Sequence, residues 1–131
     1  MPTVFITGIE GFVGTHLAKL LREQDKDVSG LYWNEPAPDL RHCQIERCDI
    51  RDVARLRSLL GRVRPAFIVH LAAISSVAVA ERDMLEAIEI NAGGTWSLLS
   101  SVQREAPRAR VLLISSGEVY DQTPSEASTL H

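Results

Sequence analysis

The stretch Thr7-Gly8-Ile9-Glu10-Gly11-Phe12-Val13-Gly14 sets its glycines three positions apart, at the junction of two different hydrophobic patterns. Before it, Thr3 to Thr7 is a short β-branched and aromatic run ending in glycine, which reads as a buried strand entering a tight turn. After it, Val13, Leu17, Leu20 and Leu21 recur at helical spacing, and the charged cluster Arg22 to Asp27 closes the segment. A strand that turns sharply into a helix offers free N–H groups and the positive end of a dipole, which together favour phosphate. In that setting Gly8 permits the turn, Gly11 lets backbone approach a pyrophosphate, and Gly14 lets the helix lie close to the sheet.

The rest of the chain keeps alternating. Val28 to Trp33 reads as a second strand, followed by a proline-containing loop from Asn34 to Asp39. Gln44 to Cys48 is a weaker third strand, and Asp52 is placed to cap a helix whose Val53, Leu56, Leu59, Leu60 and Val63 share one face. Pro65 marks the end of that helix. Ala66 to Ala73 is an apolar run broken only by His70, as expected of a parallel strand covered on both faces. Glu81 to Arg104 reads as helix, although Gly93 and Gly94 inside it cost about 1 kcal/mol each against alanine and so demand close packing or a ligand. Arg110 to Ser115 is the fifth strand. The alternation implies right-handed crossovers and an α/β, doubly wound parallel sheet of the Rossmann type, with strand order 3-2-1-4-5 and one strand short of the usual six.

Composition narrows the partners. A length of 131 residues suits one domain, residues 1–131, and a formal charge of −3 gives no basic field for nucleic acid. No apolar run approaches the roughly 20 residues of a membrane span, and the first residues lack the pattern of a signal peptide. Cys43 and Cys48 have neither metal-site nor disulfide-framework spacing, so the expectation is a cytoplasmic protein with reduced thiols and no metal.

The turn reads TGxxGFxG rather than GxGxxG, and in this it resembles the extended short-chain dehydrogenase/reductases. The resemblance runs the length of the chain, through Asp49-Ile50, His70-Leu71-Ala72-Ala73, Asn91 with Gly94-Thr95, and Ser115-Ser116 with Val119-Tyr120. It implies NAD or NADP as cofactor, bound by Gly8, Gly11, Phe12, Val13 and Gly14, with Tyr32 and Asn34 at the end of the second strand. It further implies Asp49 and Ile50 at the adenine, Leu71, Ala72 and Ala73 along the dinucleotide, Asn91 behind the nicotinamide half, and Ser115 beside them. Read from the residues alone, Asp49 equally begins a turn before the Asp52 cap, Asn91 satisfies neighbouring backbone, and Ala72 and Ala73 serve dense packing. The choice between NAD and NADP stays open, because Tyr32, Trp33 and Asn34 include neither the acidic residue of the one nor the arginine of the other. Arg41 in the following loop is the nearest cationic candidate.

Within the family, the nearest resemblance is to GDP-mannose 4,6-dehydratases and GDP-4-keto-6-deoxymannose reductases. It rests on Ser116-Gly117-Glu118 and on the stretch Ala72 to Val77, and it implies catalytic roles for Ser116 and Glu118 and a sugar contact at Ser75. A carboxylate at Glu118 suits proton abstraction beside a ketone. The family's catalytic YxxxK pair does not occur: Tyr32 and Tyr120 are the only tyrosines, and neither has a lysine four residues on. The expectation is therefore the N-terminal, cofactor-binding part of a longer, homo-oligomeric enzyme acting on a nucleotide sugar, itself inactive. A nucleotide-sensing module without catalysis, or a 4-epimerase parent, is the alternative.

Overall fold

The computed structural model describes residues 3–36 and 38–116. In chain order the elements are β1 (Thr3–Thr7), α1 (Phe12–Glu23), β2 (Asp27–Tyr32), a 3-10 turn (Pro38–His42), β3 (Gln44–Arg47), α2 (Val53–Val63) and β4 (Phe67–His70). Then follow α3 (Val77–Arg82), α4 (Met84–Ile88), a π-helical turn (Glu89–Gly93), α5 (Gly94–Glu105) and β5 (Arg110–Leu113). The strands form one parallel sheet in the order β3-β2-β1-β4-β5, as expected.

Because successive side chains on a strand point to opposite faces, β1 feeds two cores. Phe5 joins Leu31, Ile68, Leu56, Leu59, Leu60, Leu98 and Val102 on the α2 and α5 side. Val4 and Ile6 join Ile9, Ala18, Val28 and Leu40 on the α1 side. Each fully buried Leu or Ile contributes about 1.5–3 kcal/mol relative to exposure, so β1 is the seam on which both layers depend.

Several boundaries differ from the sequence expectation. The inward face of α1 is rotated by one position: Gly14 and Ala18 are buried, with Leu17 and Leu21 partly so, while Val13 and Leu20 are 58% and 52% exposed. Small residues win there because the helix lies against backbone. A Cβ on Gly14 would stand 2.6 Å from the Gly8 carbonyl oxygen and 2.7 Å from Ile9 Cα. The expected helix from Glu81 to Arg104 begins at Val77 and is broken at Asp83, whose carboxylate caps α4 by accepting from the Glu86 N–H at 2.9 Å. Gly94 has the packing reason its cost demanded, since its Cβ would meet Ile50 Cγ2 at 2.6 Å, whereas Gly93 faces open space. β4 and β5 are shorter than the apolar runs containing them, and the loop after β2 closes as the 3-10 turn that buries Leu40. Among the described residues no helix is long and apolar enough to cross a membrane.

Candidate functional site

At the carboxyl end of β1 the chain turns through Gly8, whose φ of +67° favours glycine, and a Cβ there would lie 2.9 Å from the Ala72 backbone. The N–H groups of Gly8 and Ile9 both donate to the Leu31 carbonyl, at 3.0 and 3.2 Å, which locks the turn onto β2. Gly11 is different. A Cβ there would make only an ordinary contact, 3.4 Å from the Gly8 carbonyl, in a backbone conformation (φ −69°, ψ 173°) open to any residue. The fold does not need glycine at this point. Gly11 also brings no side chain to cap α1, and no acidic residue occupies the first turn, so the N–H groups of Phe12, Val13 and Gly14 lie at an unneutralised positive helix end. These features fit a phosphate. Phe12 itself is 81% exposed and rests on the His16 ring.

A chain of hydrogen bonds ties this turn to β4 and α5. Buried Thr7 Oγ1 accepts from the N–H groups of Leu71 (3.0 Å) and Ala72 (3.1 Å), leaving its own hydroxyl to donate to His70 Nδ1 at 2.7 Å. With Nδ1 accepting, the ring is neutral and carries its proton on Nε2, which donates to Thr95 Oγ1 at 2.9 Å. Thr95 in turn donates to the Asn91 carbonyl at 2.6 Å. Burial pushes the His70 pKa below its ordinary 6.5, in keeping with that neutral form. The Asn91 side chain, in the π-helical turn, holds both backbone polar groups of one residue: Oδ1 accepts from the Ile74 N–H at 2.8 Å and Nδ2 donates to the Ile74 carbonyl at 3.0 Å. Its direct work is to fix the loop after β4.

The turn, the end of β2, the Cys48–Arg51 segment and the loop after β4 enclose a cleft of about 190 Å³. Complete small-molecule sites run to roughly 300–1,000 Å³, so this cleft suits a nucleoside-sized portion of a ligand. Of the residues expected at a dinucleotide, Gly8, Asn34, Asp49, Ile50, Ala72 and Ala73 line it. Tyr32 and Leu71 instead pack against the α1-side core. Asp49 is engaged within the protein: Arg51 grips both carboxylate oxygens, at 2.8–3.3 Å, and its backbone N–H adds a further bond at 2.8 Å, together holding the carboxyl below its usual range. Burial, helped by Asp52, raises the Cys48 thiol to about 11, so it stays protonated at neutral pH.

Ser75 lies in the exposed loop after β4, and Ser115 and Ser116 follow β5, so these three stand at the carboxyl ends of adjacent strands. Glu118 and Tyr120 lie outside the described residues. Thr7, Glu10 and Thr95 stand within the sequence motifs but carry no role of their own there. Glu10 lines the cleft and its carboxylate reaches β2, accepting from the N–H groups of Trp33 (2.9 Å) and Asn34 (3.2 Å). The available signal was a charged residue inside a turn otherwise made of glycine and apolar residues.

The sequence model of the NAD dependent epimerase/dehydratase family matches residues 4–131. UDP-glucuronate 4-epimerase 4 of Arabidopsis thaliana is 32% identical over 130 residues, covering 90% of this chain and 30% of the relative. GDP-6-deoxy-D-mannose reductase of Pseudomonas aeruginosa is 32% identical over 128 residues, covering 98% and 38% respectively. Among solved structures, UDP-glucose 4-epimerase from Brucella ovis in complex with NAD superposes with a TM-score of 0.84 at 30% identity, covering 95% of this chain and 38% of that one. The chain thus spans about a third of the length of these relatives.

Proposed function

The chain belongs to the NAD dependent epimerase/dehydratase family, and from that premise we propose that it is the dinucleotide-binding part of an enzyme acting on nucleotide sugars, a 4,6-dehydratase or a 4-keto reductase. The observation that carries the reading is the open, uncapped start of α1 at Gly11, where a side chain's first atom would meet nothing closer than the Gly8 carbonyl at 3.4 Å. Gly8, Gly11 and the N–H groups of Phe12, Val13 and Gly14 hold the phosphates. Ile50, Ala72 and Ala73 border the adenosine half, with Asp49, and Asn91 keeps the loop beside the nicotinamide half in place through Ile74. When bound, the dinucleotide supplies hydride acceptance and return.

Ser116 and Glu118 are the residues proposed to act on the sugar, Ser116 by hydrogen bonding to a sugar oxygen and Glu118 as a base, with Ser75 as a substrate contact. Ser75 and Ser116 follow neighbouring strands, β4 and β5, at the sheet edge where such sites form. A 4-epimerase parent is the second reading, favoured by the similarity to the plant UDP-glucuronate 4-epimerase. In either case the family's YxxxK pair is not among these residues. A cytoplasmic location and self-association belong to the same proposal; the latter is supported by exposed Val77, Met84, Leu85, Ile88 and Trp96.

Calorimetric titration with NAD and NADP tests the core of the reading. The wild-type chain should bind at least one of them, and Gly11→Val, which fills the approach, should lose that binding while remaining folded. Equal affinity in the variant would place the dinucleotide elsewhere.

A further inference from the structure

The strand that follows the glycine turn in such folds ordinarily ends in an Asp or Glu that accepts from the ribose hydroxyls of NAD, or is accompanied by an Arg that takes the 2′-phosphate of NADP. Here β2 ends in Tyr32, Trp33 and Asn34, and the carboxylate comes from the turn itself. Glu10 Oε1 is anchored by the Trp33 and Asn34 N–H groups. That places the charge at the tip of β2 although the residue belongs to another element. The second oxygen, Oε2, is buried and has no hydrogen-bond partner among the described residues. A carboxylate oxygen removed from water without a donor is costly, and a ligand hydroxyl would relieve it.

Each neighbouring cation has a contact within the protein. Arg47 donates to the Trp33 carbonyl at 3.1 Å and lies over the Trp33 ring at 4.9 Å; Arg41 donates to the Pro38 carbonyl at 3.0 Å; Arg51 is paired with Asp49 and Glu89. Glu10 also stands directly before Gly11, so the group attached to a pyrophosphate seated there, on the adenosine side, is a ribose within reach of the cleft it lines. We propose that Glu10 selects NAD over NADP, with Oε2 accepting from the adenosine 2′-hydroxyl and the carboxylate charge opposing a 2′-phosphate. The inference rests on the dinucleotide reading above.

The test is titration of the wild-type chain and of Glu10→Gln with NAD and NADP, with 2′-deoxy-NAD added for the wild type. Gln keeps an oxygen for the Trp33 and Asn34 N–H groups and removes the charge. The wild type should prefer NAD by at least about 100-fold and bind 2′-deoxy-NAD about tenfold more weakly than NAD. Glu10→Gln should shrink the preference at least about tenfold, chiefly by gaining affinity for NADP. Equal wild-type affinity for NAD and NADP overturns the proposal, as does a ratio unchanged in a folded variant. Undiminished affinity for 2′-deoxy-NAD overturns it without any variant. Binding of neither dinucleotide by the wild type is a different failure, which removes the proposed function and this inference with it.

Discussion

α1 and α2 each follow a strand of the parallel sheet, and they start in opposite ways. α2 begins at Asp52, whose carboxylate accepts from the Arg55 N–H at 3.0 Å and neutralises the positive end from within. α1 begins at Gly11, which caps nothing, and its first turn carries no acidic residue. One end is finished by the chain and the other is not. Glycine is itself a tolerated N-cap, only a few tenths of a kcal/mol poorer than a Ser or Asp, so α1 forgoes little stability by leaving its end open. Neither position in a doubly wound sheet nor a missing cap singles out α1, since α3 after β4 also lacks a capping side-chain bond and an acidic first turn; what α1 adds is the opening at Gly11.

The comparison can be broken most severely at Gly14. Its Cβ would strike backbone at 2.6–2.7 Å, so Gly14→Ala should cost about 3 kcal/mol or prevent folding, read from the urea midpoint. A loss below about 1 kcal/mol would mean that α1 does not rest on the turn. Next is the exchange of characters: Gly11→Asp gives α1 the kind of cap α2 has, in backbone already suited to it. Stability should stay within about 0.5 kcal/mol of wild type or rise, while dinucleotide affinity falls at least about 100-fold. Calorimetry and thermal melts on the same sample separate the two effects, and a variant that binds normally would erase the distinction between the helix ends. Asp52→Ala is the converse. It should cost about 1 kcal/mol, a few degrees in Tm, and leave binding intact.

The smallest effect concerns pH. His70 holds the strand end that opens into α1 and is neutral when folded, with its pKa below 6.5. In the unfolded chain it takes up a proton near 6.5, so between that value and the lower folded pKa the unfolded state binds more protons. The contribution of His70 is therefore complete above 6.5 and is lost as the pH falls through that window. Urea midpoints at pH 7.5 and 5.5 should show the decline, and a His70→Gln variant should show less of it.

The sheet was readable in advance because its signals are local. β-branched runs, Asp52 before an apolar stripe and Pro65 after it are all expressed within a few residues of where they act. The face of α1 differs from its apolar pattern for a physical reason: Leu20 and Val13 look like core, but the helix turns Gly14, against which backbone lies, and Ala18 inward. The long helix expected from Glu81 hid a break that needed only one side chain, Asp83, capping the next segment. The glycine turn was legible as a site, and six of the expected residues do meet at one cleft. What joins them was not, because Thr7 and His70 are 63 positions apart and Ile74 and Asn91 are 17. Nothing in the vicinity of either residue names its partner. Glu10 escaped for a related reason, since the usual carboxylate is sought on β2, where it acts, and not on the turn from which it reaches.

The central place of β1 also has a bearing on how the chain acquires its shape during synthesis. The first strand made is the middle strand of the sheet, and its two neighbours arrive at very different times. β2 follows closely, but β4 can pair only after some 60 more residues have emerged, several seconds at roughly 5–20 residues per second. Through that interval one edge of β1, bearing Val4, Phe5 and Ile6, stays open to any other strand. The same 63-residue span that lets Thr7 meet His70 is thus a period in which a nascent chain depends on dilution or a chaperone, and in which slow translation leaves it longest at risk.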